Sequence, residues 1–294
     1  MKPAAFDYKS PSSLDELLDI KAEHGDEAKP LAGGQSLIPA MNFRIAQPTL
    51  LVDLNNVKDL DNIGQDKGEL SIGAMVRQGE VETSKLVKKY SPLLYELMPN
   101  IAHSQIRNRG TIGGSLVHSD PAAELPVAAI TLDARFKAKS KSAERWIEAK
   151  DFFDGMFTVS LSPEEILTEV VFPKFPNNTG WSFMEIARRQ GDYAMAGVAA
   201  LVTLDDKGEC KESRLVYLNV GDGPVDAVKA ASSLKGKTLT YKSIETAAMI
   251  ASNDEISPFG SMHASVEFQQ HLSSVLTKRA LSKANERAKK AIAK

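Results

Sequence analysis

RNRGTIGGSLVHSDPAAELP, residues 107–126, is the stretch on which the reading of this chain turns. A glycine pair, Gly113-Gly114, stands between the hydroxyls of Thr111 and Ser115, and His118, Ser119, Asp120 and Glu124 follow closely. Glycine lets backbone amides approach an anion, and flanking hydroxyls add donors and acceptors. A second stretch, LAGGQSLIPAMNFR at 31–44, repeats the logic. Pro30 to Ala32 reads there as a short strand, Gly33-Gly34-Gln35-Ser36 as a turn and Leu37 to Phe43 as a helix, which sets the turn at a helix N-terminus. Taken alone, that turn is more readily a steric device than a binding loop. Two such loops together suit an extended ligand with a pyrophosphate and a polyol chain. Neither follows the GxGxxG or Walker A spacing, which disfavours a nicotinamide Rossmann domain and a P-loop NTPase.

Outward from these stretches the chain reads as α+β. Ser12 or Ser13 can cap a helix with Leu14, Leu17 and Leu18 on its apolar face and Gly25 at its end, and Leu50 to Leu54 reads as a strand closing the first unit. LDNIG and ELSIGA predict a hairpin through Gln65-Asp66-Lys67-Gly68. Val81 to Ala102 is helical, broken into two at Pro92. An apolar segment follows the second glycine stretch, then strands at LDARFKAKS and at Leu167 to Phe172, the last stopped by Pro173. Pro173, Pro176 and NNTG mark the domain boundary. Beyond it SFMEIARR, VAALVTLD and SRLVYLNV predict three strands, with helices at Ser243 to Ala251 and Ala264 to about Ala291. The expected domains are 1–55, 56–175 and 176–294.

Composition narrows the function. The 294 residues are 43% hydrophobic and 25% charged, enough for about two domains and unlike disorder, collagen or coiled coil. The net charge of −2 leaves no electrostatic footprint for nucleic acid or an anionic membrane. A single cysteine, Cys210, permits neither an internal disulfide nor an iron–sulfur cluster on this chain, since a cluster takes four thiolates. The N-terminal MKPAAFDYKSPSS has no apolar signal-peptide core, and no apolar run approaches a membrane span, so a cytoplasmic setting is expected. The basic segment from Lys278 to Lys294 reads as an exposed helix end.

The two glycine stretches and ARRQGDYAMAGVAA at 187–200, in this order and at these separations, resemble the FAD-binding medium subunit of the molybdenum-containing hydroxylases. That family includes carbon monoxide dehydrogenase, quinoline oxidoreductase and nicotine dehydrogenase subunits and the middle domain of xanthine dehydrogenase. HASVEFQQHLSSVLTKRAL at 263–281 resembles the family's C-terminal helix, so the likeness spans essentially the whole chain. The resemblance implies a two-subdomain FAD-binding fold of the PCMH type, followed by a small three-stranded antiparallel sheet with helices. It implies that Ala32, Gly33, Gly34, Gln35 and Ser36 bind the FAD diphosphate, flanked by Leu31 and Leu37. Gln35 stands where the family often has His, which alters the side chain and leaves the amides. Thr111, Gly113, Gly114 and Ser115 form the second loop, with Asp120 and Glu124 near the ribityl and diphosphate portion. Ile101 and Leu167 fall at apolar contacts to the cofactor rings. Tyr193 falls in the segment that in the family runs beside the flavin ring and can move when partners bind; the alternative reading of the residue type is a core aromatic. Arg188 and Arg189 either shape the electron-acceptor entrance or form a solvated edge.

The resemblance further implies that this chain transfers electrons and leaves substrate chemistry to others. Its partners would be a small subunit with two [2Fe-2S] clusters and a large molybdopterin subunit, assembled as a dimer of heterotrimers, with electrons passing through FAD to an external acceptor. Alternatives are a stand-alone FAD oxidase or reductase, and a nucleotide-binding scaffold without redox activity. Gly114→Val is expected to abolish FAD binding and to spare the fold. No metal site is expected, because His103 and His118 lack ligand spacing. Asp15, Glu16 and Asp19 read as a solvated helix face, and Ser36 and Ser115 lack the GxSxG context of a hydrolase.

Overall fold

The computed structural model describes residues 1–292 and builds three main sheets in succession, with a separate two-stranded hairpin beside the second. Strand β1 (Asp7–Lys9), helix α1 (Leu14–His24), β2 (Ala28–Leu31), α2 (Leu37–Asn42) and β3 (Leu50–Asp53) make a parallel sheet of order β1-β3-β2. Ser13 caps α1 by accepting from the Glu16 N–H, and Leu17 and Leu18 are buried against β3. The 4-residue β2 delivers the chain directly into Gly33-Gly34, and α2 begins 3 residues after the pair.

The second sheet is antiparallel, of order β4-β5-β10-β6-β7. Its hairpin is β4 (Ile63–Asp66) and β5 (Glu69–Gly73), turning at Lys67-Gly68. Three short helices follow where two are predicted: α3 (Gln78–Thr83), α4 (Lys85–Tyr90) and α5 (Pro92–Leu97). Ser84 is the extra break, ending α3 and capping α4 through the Val87 N–H. Next come α6 (Ser104–Arg107), α7 (Ile112–His118) and α8 (Glu124–Thr131), every residue of which is buried. β6 (Arg135–Lys139), β7 (Glu144–Glu148), the small hairpin β8 (Phe153–Gly155) with β9 (Thr158–Val159), and β10 (Ile166–Phe172) complete the unit.

The third sheet is β11 (Thr179–Ala187), β12 (Ala194–Leu204), β13 (Cys210–Leu218) and β14 (Val225–Asp226). The expected three strands are thus joined by a two-residue fourth, paired to Val216 and Tyr217. Helices α9 (Val228–Ser232), α10 (Tyr241–Ile250) and α11 (Val266–Ile292) cover one face. The last two residues of the basic segment, 293–294, lie outside the described residues.

This sheet is buried on both sides, which is why β12 reads as a continuous apolar run. Ala196, Val198, Ala200 and Val202 face α11, while Ala199 and Leu201 join the core that holds α5 and α8. Small residues let α11 lie close: a Cβ at Gly180 would stand 1.9 Å from the Ala284 carbonyl oxygen. Arg287 donates to Glu96 (2.8 Å) and to the Trp181 carbonyl (2.9 Å), and Arg214 donates to the Ile130 carbonyl (2.7 Å). These bonds pin the third sheet and its helix to the second unit.

Candidate flavin site

The two glycine stretches meet. A Cβ at Gly33 would lie 2.3 Å from the Arg109 carbonyl oxygen, and one at Gly114 would lie 3.3 Å from the Ala32 Cβ. Only glycine permits the first approach. Gly34 has φ +72°, which turns the chain from β2 into α2. Within the described residues none of the backbone N–H groups of Gly33, Gly34, Gln35 and Ser36 donates to another protein group. Gln35 instead donates its side-chain amide to the Gly33 carbonyl (3.2 Å), closing the turn on itself. The first stretch is therefore a turn with unspent donors, suited to an anionic oxygen.

The second stretch differs from the expected amide-rich loop. It is the first turn of α7, with Thr111 as N-cap accepting from the Gly114 N–H (3.0 Å). Ile112 and Gly113 donate to the carbonyls of Val76 (3.0 Å) and Ala74 (2.8 Å). These donors are spent inside the protein, so Thr111, Gly113 and Gly114 build the wall opposite Gly33, and Ser115 carries the hydroxyl on it. Gly114 also has less room than a sequence reading allows: its Cβ would meet the Thr111 Oγ1 at 2.7 Å. Gly114→Val therefore disturbs the α7 cap and the contact with Ala32, and the expectation that it spares the fold is corrected.

A polar brace that sequence reading missed holds the two walls together. Asn55 donates to the Ala32 carbonyl (3.2 Å) and accepts from Arg77, which donates to the Arg109 carbonyl (2.7 Å). Asp53 orients Asn55 by accepting from its backbone N–H (2.9 Å) and its side-chain amide, and accepts from the Tyr8 hydroxyl (2.6 Å). Burial opposes ionisation of Asp53, but the hydrogen bonds from Tyr8 and Asn55 prevail and hold its carboxyl below the usual range. No local pattern marks Asn55 or Arg77 as a brace, because the bonds that join the walls span more than twenty residues.

Around this cleft the remaining candidates divide. Leu31, Ala32 and Leu37 are half-buried in the walls, and Ser36 is exposed at the mouth. Asp120 accepts from the Ala122 N–H (2.9 Å) in the turn that leads to Glu124, the first residue of α8. Glu124 is buried, and its pKa rises to about 7, chiefly through desolvation, with Asp120 adding to the rise. Ile101 and Leu167 are buried within the second core, leaving only narrow edges for a ring. The Ile101 and Ala102 carbonyls are gripped by Arg107 (2.9 and 3.1 Å), itself paired with Glu82. Tyr193 is not a core aromatic: it is 73% exposed. Its hydroxyl titrates above the usual phenol range through desolvation, with the carboxylates of Asp120 and Glu124 contributing. Arg188 pairs with Asp192 (3.3 Å) in the same exposed turn.

Glu185, on β11, is a further feature the sequence did not announce. Its Oε2 is buried without a hydrogen-bond partner, and desolvation followed by the charge of Glu124 raises its pKa to about 8. Among the described residues no cluster of three or more His, Cys, Asp or Glu could hold a metal ion. No helix among them is long and apolar enough to cross a membrane.

Comparison with known proteins places the chain in a family. Residues 4–175 match the FAD binding domain in molybdopterin dehydrogenase, and residues 181–284 match the CO dehydrogenase flavoprotein C-terminal domain. The 6-hydroxypseudooxynicotine dehydrogenase complex subunit alpha of Paenarthrobacter nicotinovorans is 42% identical, covering 98% of this chain and 97% of its own. The carbon monoxide dehydrogenase medium chain of Hydrogenophaga pseudoflava is 32% identical, covering 97% and 98%. Among solved structures, carbon monoxide dehydrogenase from the same organism superposes with a TM-score of 0.94 at 33% identity, over 98% of this chain and 99% of that one. Quinoline 2-oxidoreductase from Pseudomonas putida 86 gives 0.93 at 37%, with the same coverage. With a free-amide turn facing a helix-capped wall, and both matched domains in order, the chain belongs to the FAD-binding medium subunits of the molybdenum hydroxylases, as a subunit of an oxidoreductase complex.

Proposed function

We propose that this chain holds FAD between residues 1–55 and 56–175, with 176–294 as a third domain closing over the ring end. The observation that carries the reading is the meeting of two walls, one with four unspent amides and lying at Gly33 so close to the Arg109 carbonyl that a side chain would push the walls apart. The Gly33–Ser36 amides take the diphosphate, and Ala32, Leu31 and Leu37 line its approach. Thr111, Gly113, Gly114 and Ser115 form the opposite wall, Asp120 and Glu124 lie along the ribityl side, and Ile101, Leu167 and Tyr193 border the ring. Fit at the diphosphate is supported by four backbone donors that have no other partner.

When bound, FAD supplies the redox centre that takes electrons from the [2Fe-2S] clusters of a small partner subunit and passes them to an external acceptor. The protein's share is to bind and orient that centre and to keep one edge open at Tyr193. A large molybdopterin subunit would perform the hydroxylation, in a cytoplasmic dimer of heterotrimers. The single buried Cys210 supports placing the clusters on another chain. A titration of FAD into the purified chain, followed by flavin fluorescence and by the visible spectrum before and after dithionite, tests the reading. Saturable binding with reversible bleaching is expected. Absence of binding both in the chain and in the complex co-expressed with its partners overturns it.

A further inference from the structure

Asn219 follows β13 directly, in the left-handed region with φ +57°, a conformation that Asn tolerates better than most residues. From there it reaches three segments. Its backbone N–H donates to the Pro121 carbonyl at 2.7 Å, which lies between Asp120 and Glu124 in the second unit. Its side-chain amide donates to the Ala194 carbonyl at 2.5 Å, immediately after Tyr193. Its own carbonyl accepts from Gln269 of α11 at 2.8 Å. Gln269 is fully buried and fully used: the same Nε2 donates to the Met195 carbonyl (2.8 Å), and its Oε1 accepts from the Gly260 N–H (2.9 Å). Glycine would satisfy the backbone angle at position 219, so the amide side chain is there for the Ala194 carbonyl.

We propose that Asn219 is a positioning residue that fixes Tyr193 against the Asp120–Glu124 turn, with Gln269 as its anchor in the last helix. The proposal rests on the flavin reading above, because it assigns both segments to one ligand. Residues 119–123 and 188–193 lie outside helices and strands, and such segments fray when nothing ties them down. Asn219 makes their separation a property of the third domain, so that docking of that domain and shape of the ring end become one event.

Two variants of the full chain test this. Asn219→Gly keeps the left-handed angle and both backbone links and removes the side-chain donor. Asn219→Asp keeps the size and cannot donate to the Ala194 carbonyl. Hydrogen exchange without FAD is expected to quicken about tenfold in residues 192–196, the cost of one unmet buried carbonyl. Residues 119–124 should follow to a lesser degree. With FAD, the dissociation constant is expected to rise about tenfold and the circular dichroism of the bound flavin to change. Exchange unchanged in both variants overturns the clamp. Faster exchange with wild-type FAD affinity and flavin dichroism overturns the positioning role and leaves Asn219 purely structural. A wild-type chain that binds no FAD, alone or in its complex, overturns the flavin reading, and is distinguished by appearing before any substitution.

Discussion

Gly33 carries the narrowest clearance in the cleft, and a single methyl group tests it. With the Arg109 carbonyl oxygen 2.3 Å from the Cβ position and the Gly110 Cα at 2.7 Å, Gly33→Ala has to push backbone against backbone. Overpacking of that kind costs about 1–3 kcal/mol, and here the displaced atoms are the two walls themselves. We expect Gly33→Ala to lower the urea midpoint by a corresponding amount and to lose FAD binding, measured by the same flavin titration. Gly114→Ala is the milder companion. Its Cβ meets a hydroxyl and a methyl group in place of backbone, so it should weaken FAD binding less than Gly33→Ala and lose part of the Thr111 cap. An FAD affinity unchanged in Gly33→Ala would place the cofactor elsewhere.

At the scale of elements, β2, β3 and α7 are held in one geometry by the brace running from Ala32 through Asn55 and Arg77 to Arg109. Arg77→Met keeps much of the aliphatic stem and removes both donors, leaving the Asn55 oxygen and the Arg109 carbonyl without them. Unmet groups of this kind cost about 1–3 kcal/mol, and we expect that loss in denaturant unfolding together with roughly tenfold weaker FAD binding. A stability loss with unaltered affinity would show that the brace supports the fold alone. The same elements show what sequence can and cannot reveal. The two glycine stretches, the hairpin at Lys67-Gly68 and the three long strands of the third sheet are visible because turn residues and apolar runs are local signals. β1 is a three-residue exposed strand, and β7 buries only Ile147, so neither shows alternation. α8 is buried on every side and has no polar face to give it a helical period. Asn55, Arg77 and Asn219 act through partners distant in the chain, and nothing in their neighbours predicts that.

Over the whole molecule, docking the third sheet on the second unit buries two carboxyl groups without a counter-charge. Glu185 and Glu124 have pKa values near 8 and 7, each raised first by desolvation. In the unfolded chain both ionise near the ordinary value of 4.5. Between about pH 4.5 and 8 the folded state thus holds protons that the unfolded state has released. Its advantage is complete below the unfolded pKa and is lost as the pH rises through the folded values. Stability should fall across that window and level off above it, opposite in sense to a salt-bridged carboxylate. Glu185→Gln keeps the shape and removes the ionisation. Its thermal midpoint should match the wild type at pH 4.5 and exceed it at pH 8, where a gain on the order of 1 kcal/mol raises the midpoint by about 2 °C in a chain of this size. Differential scanning calorimetry of both proteins across the window reads Glu185 together with its coupling to Glu124, because titrations not coupled to Glu185 cancel in the difference. Parallel curves from pH 4.5 to 8 would show that Glu185 is ionised throughout and that water or a partner reaches its carboxylate.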